Sequence, residues 1–121
     1  MSRRVLVIED QEDNRRIVRD LLTSAGYTLL EATAGDEGVA LAERERPDLI
    51  LMDIQLPGLD GYEATRRIKA NPELAKIPII VVTSYALSGD EAKAMAAGAN
   101  GYVSKPFSPR ALLAKIREYL A

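Results

Sequence analysis

The chain has 121 residues, enough for one compact domain around a single core and too few for two. It contains no cysteine and no histidine, which removes disulfides, thiolate zinc sites, thiol nucleophiles and every histidine-based triad, so any base or metal ligand must be an oxygen or an amine. A net charge of -2, with 28% charged and 47% hydrophobic residues, is ordinary for a globular protein and gives no electrostatic reason for direct nucleic-acid binding.

Arg3-Arg4 faintly resembles a twin-arginine signal, but the apolar run behind it, Val5-Leu6-Val7-Ile8, stops at Glu9. That run reads instead as a buried first strand closed by the acidic cluster Glu9-Asp10-Gln11-Glu12-Asp13. No stretch is long enough to enter a membrane, and a cytoplasmic protein is expected. Ile17, Val18, Leu21, Leu22 and Ala25 recur at helical spacing, with Gly26 where a C-terminal cap belongs. Thr28 to Ala32 is a second strand of mixed polarity, and Gly35 to Glu45 a second helix broken by Pro47-Asp48.

Leu49 to Met52 reads as a strand buried on both faces, and it ends abruptly on Asp53, ahead of a Pro57-Gly58 loop and an Asp60-Gly61 helix start. A carboxylate leaving water costs several kcal/mol unless something pairs with it, so this position asks for a partner. Asp60 caps a third helix with Tyr62, Thr65 and Ile68 on one face, ended by Asn71-Pro72. Ile79-Ile80-Val81-Val82 is another wholly apolar strand, finishing on Thr83-Ser84. The fourth helix follows Ser88-Gly89-Asp90, with Ala92, Met95, Ala96 and Ala99 as its expected inner face, and small side chains there predict weak anchoring. Gly101-Tyr102-Val103-Ser104 is a short fifth strand stopped by Lys105-Pro106, and Leu112, Leu113, Ile116 and Leu120 mark a fifth amphipathic helix.

Strands alternating with helices predict an α/β domain spanning residues 1–121: a doubly wound (βα)5 unit of flavodoxin-like winding with a five-stranded parallel sheet. The all-apolar first, third and fourth strands belong in the middle and the mixed second and fifth at the edges, giving the order 2-1-3-4-5. Winding then reverses between the first and third strands, where ligands bind outside the carboxyl ends, and the residues at those ends are Glu9, Asp10 and Asp53. Thr83 and Lys105 leave the fourth and fifth strands at the same end of the sheet.

Carboxylates about 4 to 5 Å apart repel by roughly 4 kcal/mol at an effective dielectric near 20, so this cluster demands a cation. With oxygen ligands alone on offer, Mg²⁺ is the expected occupant, with Mn²⁺ as a substitute. A divalent ion, an ammonium and a hydroxyl around one aspartate describe a phosphoryl-acceptor site. Asp53 is the nucleophile, the metal and Lys105 offset charge on the phosphoryl oxygens, and Thr83 donates a hydrogen bond to one of them.

Glu9-Asp10, Asp53 with Leu-Pro-Gly-Leu-Asp-Gly at 56–61, Thr83-Ser84, and Tyr102-Val103-Ser104-Lys105-Pro106 together resemble the receiver domain of two-component response regulators, the CheY-like family, and within it the stand-alone DivK-like regulators. The resemblance implies phosphorylation of Asp53 to a 4-aspartyl phosphate by a sensor histidine kinase or histidine phosphotransfer protein. The protein would be a phosphoacceptor that assists its own phosphorylation and dephosphorylation, not an enzyme with an external substrate. It also implies Mg²⁺ held by Asp10, Asp53 and the backbone carbonyl of Gln55, with Glu9 reached through water, and a cis bond at Pro106. Thr83 and Tyr102 would form the switch, signalling to a protein target through the face of the fourth helix, fifth strand and fifth helix. Gln55, Ser84 and Tyr85 would modulate access of water to the phosphoryl group, an amide and an aromatic ring favouring slow hydrolysis. Asn14, Arg15, Ile17 and Arg19 resemble the kinase-docking face.

A chain without histidine cannot be its own histidine phosphodonor, so the donor is another molecule. The expected regulator is a monomer or weak dimer; the alternative origin is a receiver excised from a hybrid histidine kinase. A phosphohydrolase of the haloacid-dehalogenase type competes as an enzyme reading, but Gln55 stands where its general acid belongs. A flavin-binding module is disfavoured by acids after the first strand, where phosphate needs donors.

Overall fold

Branched and aliphatic runs become the strands of this chain, and each 3.6-periodic segment between them becomes the helix that returns the chain to the same edge. The computed structural model describes residues 3–83, 90–105 and 107–120, with the side chain of Asp90 left aside. Strands β1 (Arg4–Ile8), β2 (Thr28–Ala32), β3 (Leu49–Asp53), β4 (Ile79–Thr83) and β5 (Gly101–Ser104) alternate with helices α1 (Glu12–Ser24), α2 (Gly35–Glu45), α3 (Gly61–Ala70), α4 (Asp90–Ala96) and α5 (Pro109–Tyr119). All pairings are parallel and the order is β2-β1-β3-β4-β5, as the sequence predicts.

Burial explains that order. Every residue of β3 and β4 is buried, whereas β2 and β5 mix buried with half-buried and exposed positions, so the former tolerate covering on both faces and the latter do not require it. Alternation along the strands then makes two cores. Leu6, Ile8, Ile50, Met52, Ile79 and Val81 pack with Ala42, Ala64, Ile68 and Ala94 beneath α2, α3 and α4. Val5, Val7, Leu49, Leu51, Ile80 and Val82 pack with Val18, Leu22, Leu112 and Ile116 beneath α1 and α5.

Helix ends follow the expected chemistry. The Asp60 carboxylate accepts from the Glu63 amide at 2.8 Å and opens α3, and Ser108 does the same for α5 toward Ala111 at 3.3 Å. Gly26, at φ +93°, closes α1 in the left-handed region.

The inner face of α4 differs from the expectation. Of the four expected positions only Ala99, beyond the helix, is buried; the others buried here are Ala94 and, just past the helix end, Ala97, whereas Ala92 and Ala96 face solvent and Met95 is 47% exposed. In an alanine-rich helix two stripes satisfy the same i, i+3, i+4 spacing, and close packing selects the one whose side chains are all small. Among the described residues no helix is long and apolar enough to cross a membrane.

Candidate functional site

Parallel register brings the acids together. Ile8 of β1 lies opposite Met52 of β3, so the next residues, Glu9 and Asp53, leave adjacent strands side by side. The Glu9 amide donates to the Ala32 carbonyl at 3.0 Å, holding the end of β1 against β2. One step past the β4–β5 ladder, the Lys105 amide donates to the Thr83 carbonyl at 2.7 Å, which delivers Lys105 to the same edge. Gly61 lets the following helix come close: a Cβ there would sit 2.1 Å from the Asp53 carbonyl oxygen.

Glu9, Asp10 and Asp53 each place a carboxylate oxygen within 4.8 Å of the others, with Glu9 5% and Asp53 9% exposed. The Lys105 ammonium lies 3.0 Å from Glu9 Oε1 and 3.6 Å from Asp53 Oδ2. Asn14 Nδ2 donates to the same Glu9 Oε1 at 2.6 Å, and Arg15 Nη1 donates to the Glu9 carbonyl at 2.8 Å. The Gln55 amide donates to Asp53 Oδ1 at 3.4 Å. Glu9 Oε2, by contrast, is buried with no hydrogen-bond partner, alone in this among the described side chains.

Electrostatics follow from that crowding. Burial pushes the Asp53 carboxyl up to about 7, the adjacent Glu9 adds to the rise, and Lys105 and the Gln55 amide oppose it. Burial also works against ionised Glu9, but the adjacent Asp53 carboxyl, which takes up the proton in its place, together with Lys105 and Asn14, outweighs it and holds Glu9 below the ordinary glutamate value. One ammonium cannot neutralise three carboxylates. An orphaned buried oxygen beside two more carboxylates, all hard donors, fits a hard divalent cation that retains water. The cleft above, about 340 Å³, is lined by Asp10, Gln11, Asn14, Asp53, Gln55 and Lys105 and has room for a tetrahedral anion beside a hydrated ion.

The two residues expected to act as a switch lie on the other face of the sheet. Thr83 is fully buried at the end of β4, and Tyr102 is half-buried on β5, packed with the core beneath α2, α3 and α4. Strand alternation assigns both to that face, whereas Glu9, Asp53 and Lys105 continue the α1 and α5 face. Ser84, Tyr85 and Pro106 lie outside the described residues. The contact the sequence does not disclose is that of Asn14 and Arg15 with Glu9. Both look like outward polar positions of α1, and the signal for an inward role is their offset of five and six residues from Glu9, which spans the strand-to-helix turn.

The family profile described as the response regulator receiver domain matches residues 5–117. The chain belongs to the response regulator receiver family. It is a DivK-like receiver domain, consistent with phosphorelay signalling, and a phosphohydrolase is not favoured. The polar-differentiation response regulator DivK of Brucella ovis is 42% identical over 120 residues, 99% of this receiver and 98% of that protein. A receiver domain from a sensor histidine kinase of Pseudomonas aeruginosa PAO1 superposes with a TM-score of 0.92 at 38% identity, covering 99% of this chain and 98% of that one. That Pseudomonas domain holds a magnesium ion in its active-site cleft. The chemotaxis protein CheY4 of Vibrio cholerae superposes with the same score at 28% identity, over 98% of this receiver and 99% of that chain.

Proposed function

We propose that Asp53 is the phosphoryl acceptor of this receiver domain, which spans residues 1–121 and works in the cytoplasm. The observation that carries this is the pairing of a buried aspartate with two further acids and Lys105, one Glu9 oxygen being left without a donor. An Asp53 carboxylate oxygen attacks the phosphorus of a phosphohistidine on a sensor kinase or phosphotransfer protein. The P–O bond forms as the P–N bond breaks, and the histidine nitrogen keeps the electron pair and takes a proton from water. Lys105, already 3.6 Å from Asp53 Oδ2, pairs with a phosphoryl oxygen, and the Thr83 hydroxyl moves from its buried place on the other face to donate to another.

Asp10, Asp53 and the carbonyl of Gln55 would hold Mg²⁺, with Glu9 reached through water. When bound, the ion supplies positive charge that keeps the acids ionised and offsets the phosphoryl oxygens. Because Thr83 and Tyr102 share the α4-side face, engagement of the threonine hydroxyl is felt by the aromatic ring and passed to the surface of α4, β5 and α5, which a target protein reads. On the opposite face Ile17, 52% exposed, lines a small apolar pocket with Val18, Phe107 and Leu112 that reaches Lys105, and this apolar face would meet the phosphodonor. Gln55 and Tyr85 set how readily water reaches the acyl phosphate.

Incubation with acetyl phosphate and Mg²⁺, followed by peptide mass spectrometry, tests this. One labile phosphate on Asp53, absent from Asp53→Asn, is expected. A phosphate on any other residue, or labelling indifferent to Mg²⁺, overturns it.

A further inference from the structure

Glu9 is held asymmetrically. Its Oε1 receives two donors, Asn14 Nδ2 at 2.6 Å and Lys105 Nζ at 3.0 Å, while its Oε2 receives none and is buried. A carboxylate is a rigid plane, so whatever fixes Oε1 also fixes where Oε2 stands. The two donors differ in what else draws on them. Lys105 also lies 3.6 Å from Asp53 Oδ2, and a phosphoryl group built on Asp53 presents a stronger anion to the same ammonium. Asn14 is neutral and sits in the first turn of α1, and the next residue, Arg15, clasps the Glu9 carbonyl at 2.8 Å. The main chain and the side chain of Glu9 are therefore both held from α1. A neutral amide does this without adding a positive charge that would repel a divalent ion.

We propose that Asn14 is a positioning residue that anchors Oε1 of Glu9 beside Lys105, and alone once Lys105 turns to a phosphoryl group, keeping Oε2 available to the magnesium site in both states. This rests on the phosphoryl-acceptor reading of Asp53. It gives the residue a task inside the cleft, which Asn14 also lines, and not solely on the outer face of α1.

The test is a cycle of Asn14→Leu and Asn14→Ala against Glu9→Gln, with Mg²⁺ affinity read by calorimetry well below the melting temperature of each variant. In the native background both Asn14 substitutions are expected to weaken Mg²⁺ binding by about tenfold, equivalent to about 1.4 kcal/mol. With Glu9→Gln already present, the further loss should be under about twofold. Acetyl phosphate labelling of Asn14→Leu should slow at low Mg²⁺ and recover when Mg²⁺ saturates. Unchanged Mg²⁺ affinity in both single variants overturns the proposal, as does an equal loss in the Glu9→Gln background. A native protein that neither binds Mg²⁺ nor takes phosphate on Asp53 overturns the underlying reading instead.

Discussion

Without magnesium, the folded receiver should lose stability as the pH rises from about 5 to about 8. Its buried Asp53 carboxyl titrates at about 7 in the folded chain against 3.8 when unperturbed. A carboxyl that holds its proton more tightly folded than unfolded contributes stability that is complete below the unfolded value and lost as the pH climbs through the folded one. At about 1.4 kcal/mol for each tenfold change in proton affinity, the full difference is about 4 kcal/mol, of which about 2 to 3 kcal/mol falls between pH 5 and 8. Glu9 works in the opposite sense: its folded value is depressed, so its stabilisation is present above the ordinary 4.5 and lost as the pH falls below it. That window lies beneath the Asp53 window, and the slope from about pH 5 to 8 belongs to Asp53. For a chain of this size each kcal/mol moves the melting temperature by about 4 °C, so a drop of roughly 10 °C is expected in EDTA. Calorimetric melting across that range reads it directly. Saturating Mg²⁺ should flatten the slope, and Asp53→Asn should abolish it in EDTA. A metal-free melting temperature that is flat or rising with pH, or an unaltered slope in Asp53→Asn, refutes the reasoning.

Lys105→Met should bind Mg²⁺ more tightly, by roughly threefold to tenfold, because an ammonium 3.0 Å from Glu9 competes with the ion for the same charge. The same variant should accept phosphate more slowly; weaker Mg²⁺ binding in a titration would contradict the assignment of Lys105 to the cleft. Gly61→Ala places a Cβ 2.1 Å from the Asp53 carbonyl oxygen and 2.7 Å from Ile54 Cα, so the end of β3 must move. A loss of about 2 to 3 kcal/mol by urea unfolding, with weakened Mg²⁺ binding, is expected, and stability equal to the native protein would show that the approach is less tight than the geometry indicates.

Much of this architecture is written locally. Four aliphatic residues in a row at Val5, Leu49 and Ile79 make central strands because both faces are covered, and mixed Thr28 and Gly101 segments fall to the edges. Glu9, Asp10 and Asp53 were legible as a cluster because parallel strands share one carboxyl end, so residues that stop a run in sequence meet in space. The face of α4 was not legible. Alanine carries too little hydrophobic contrast to choose between two stripes, and the larger Met95 turned outward once Ala94 and Ala97 met the sheet. Nor was the inward turn of Asn14, since its offset of five residues from Glu9 is the sole hint and hydrophobic periodicity carries no mark of a polar residue that reaches back across the loop.

The most direct test of the acceptor site is fluorine NMR of the receiver with beryllofluoride, a phosphoryl mimic that binds an aspartate oxygen. Bound fluorine resonances should form when Mg²⁺ and the Asp53 carboxylate are both present, and vanish on adding EDTA or in Asp53→Asn. Bound resonances that persist in either case, or that never form with the native protein and Mg²⁺, would contradict the assignment of Asp53 as the group that receives the phosphoryl.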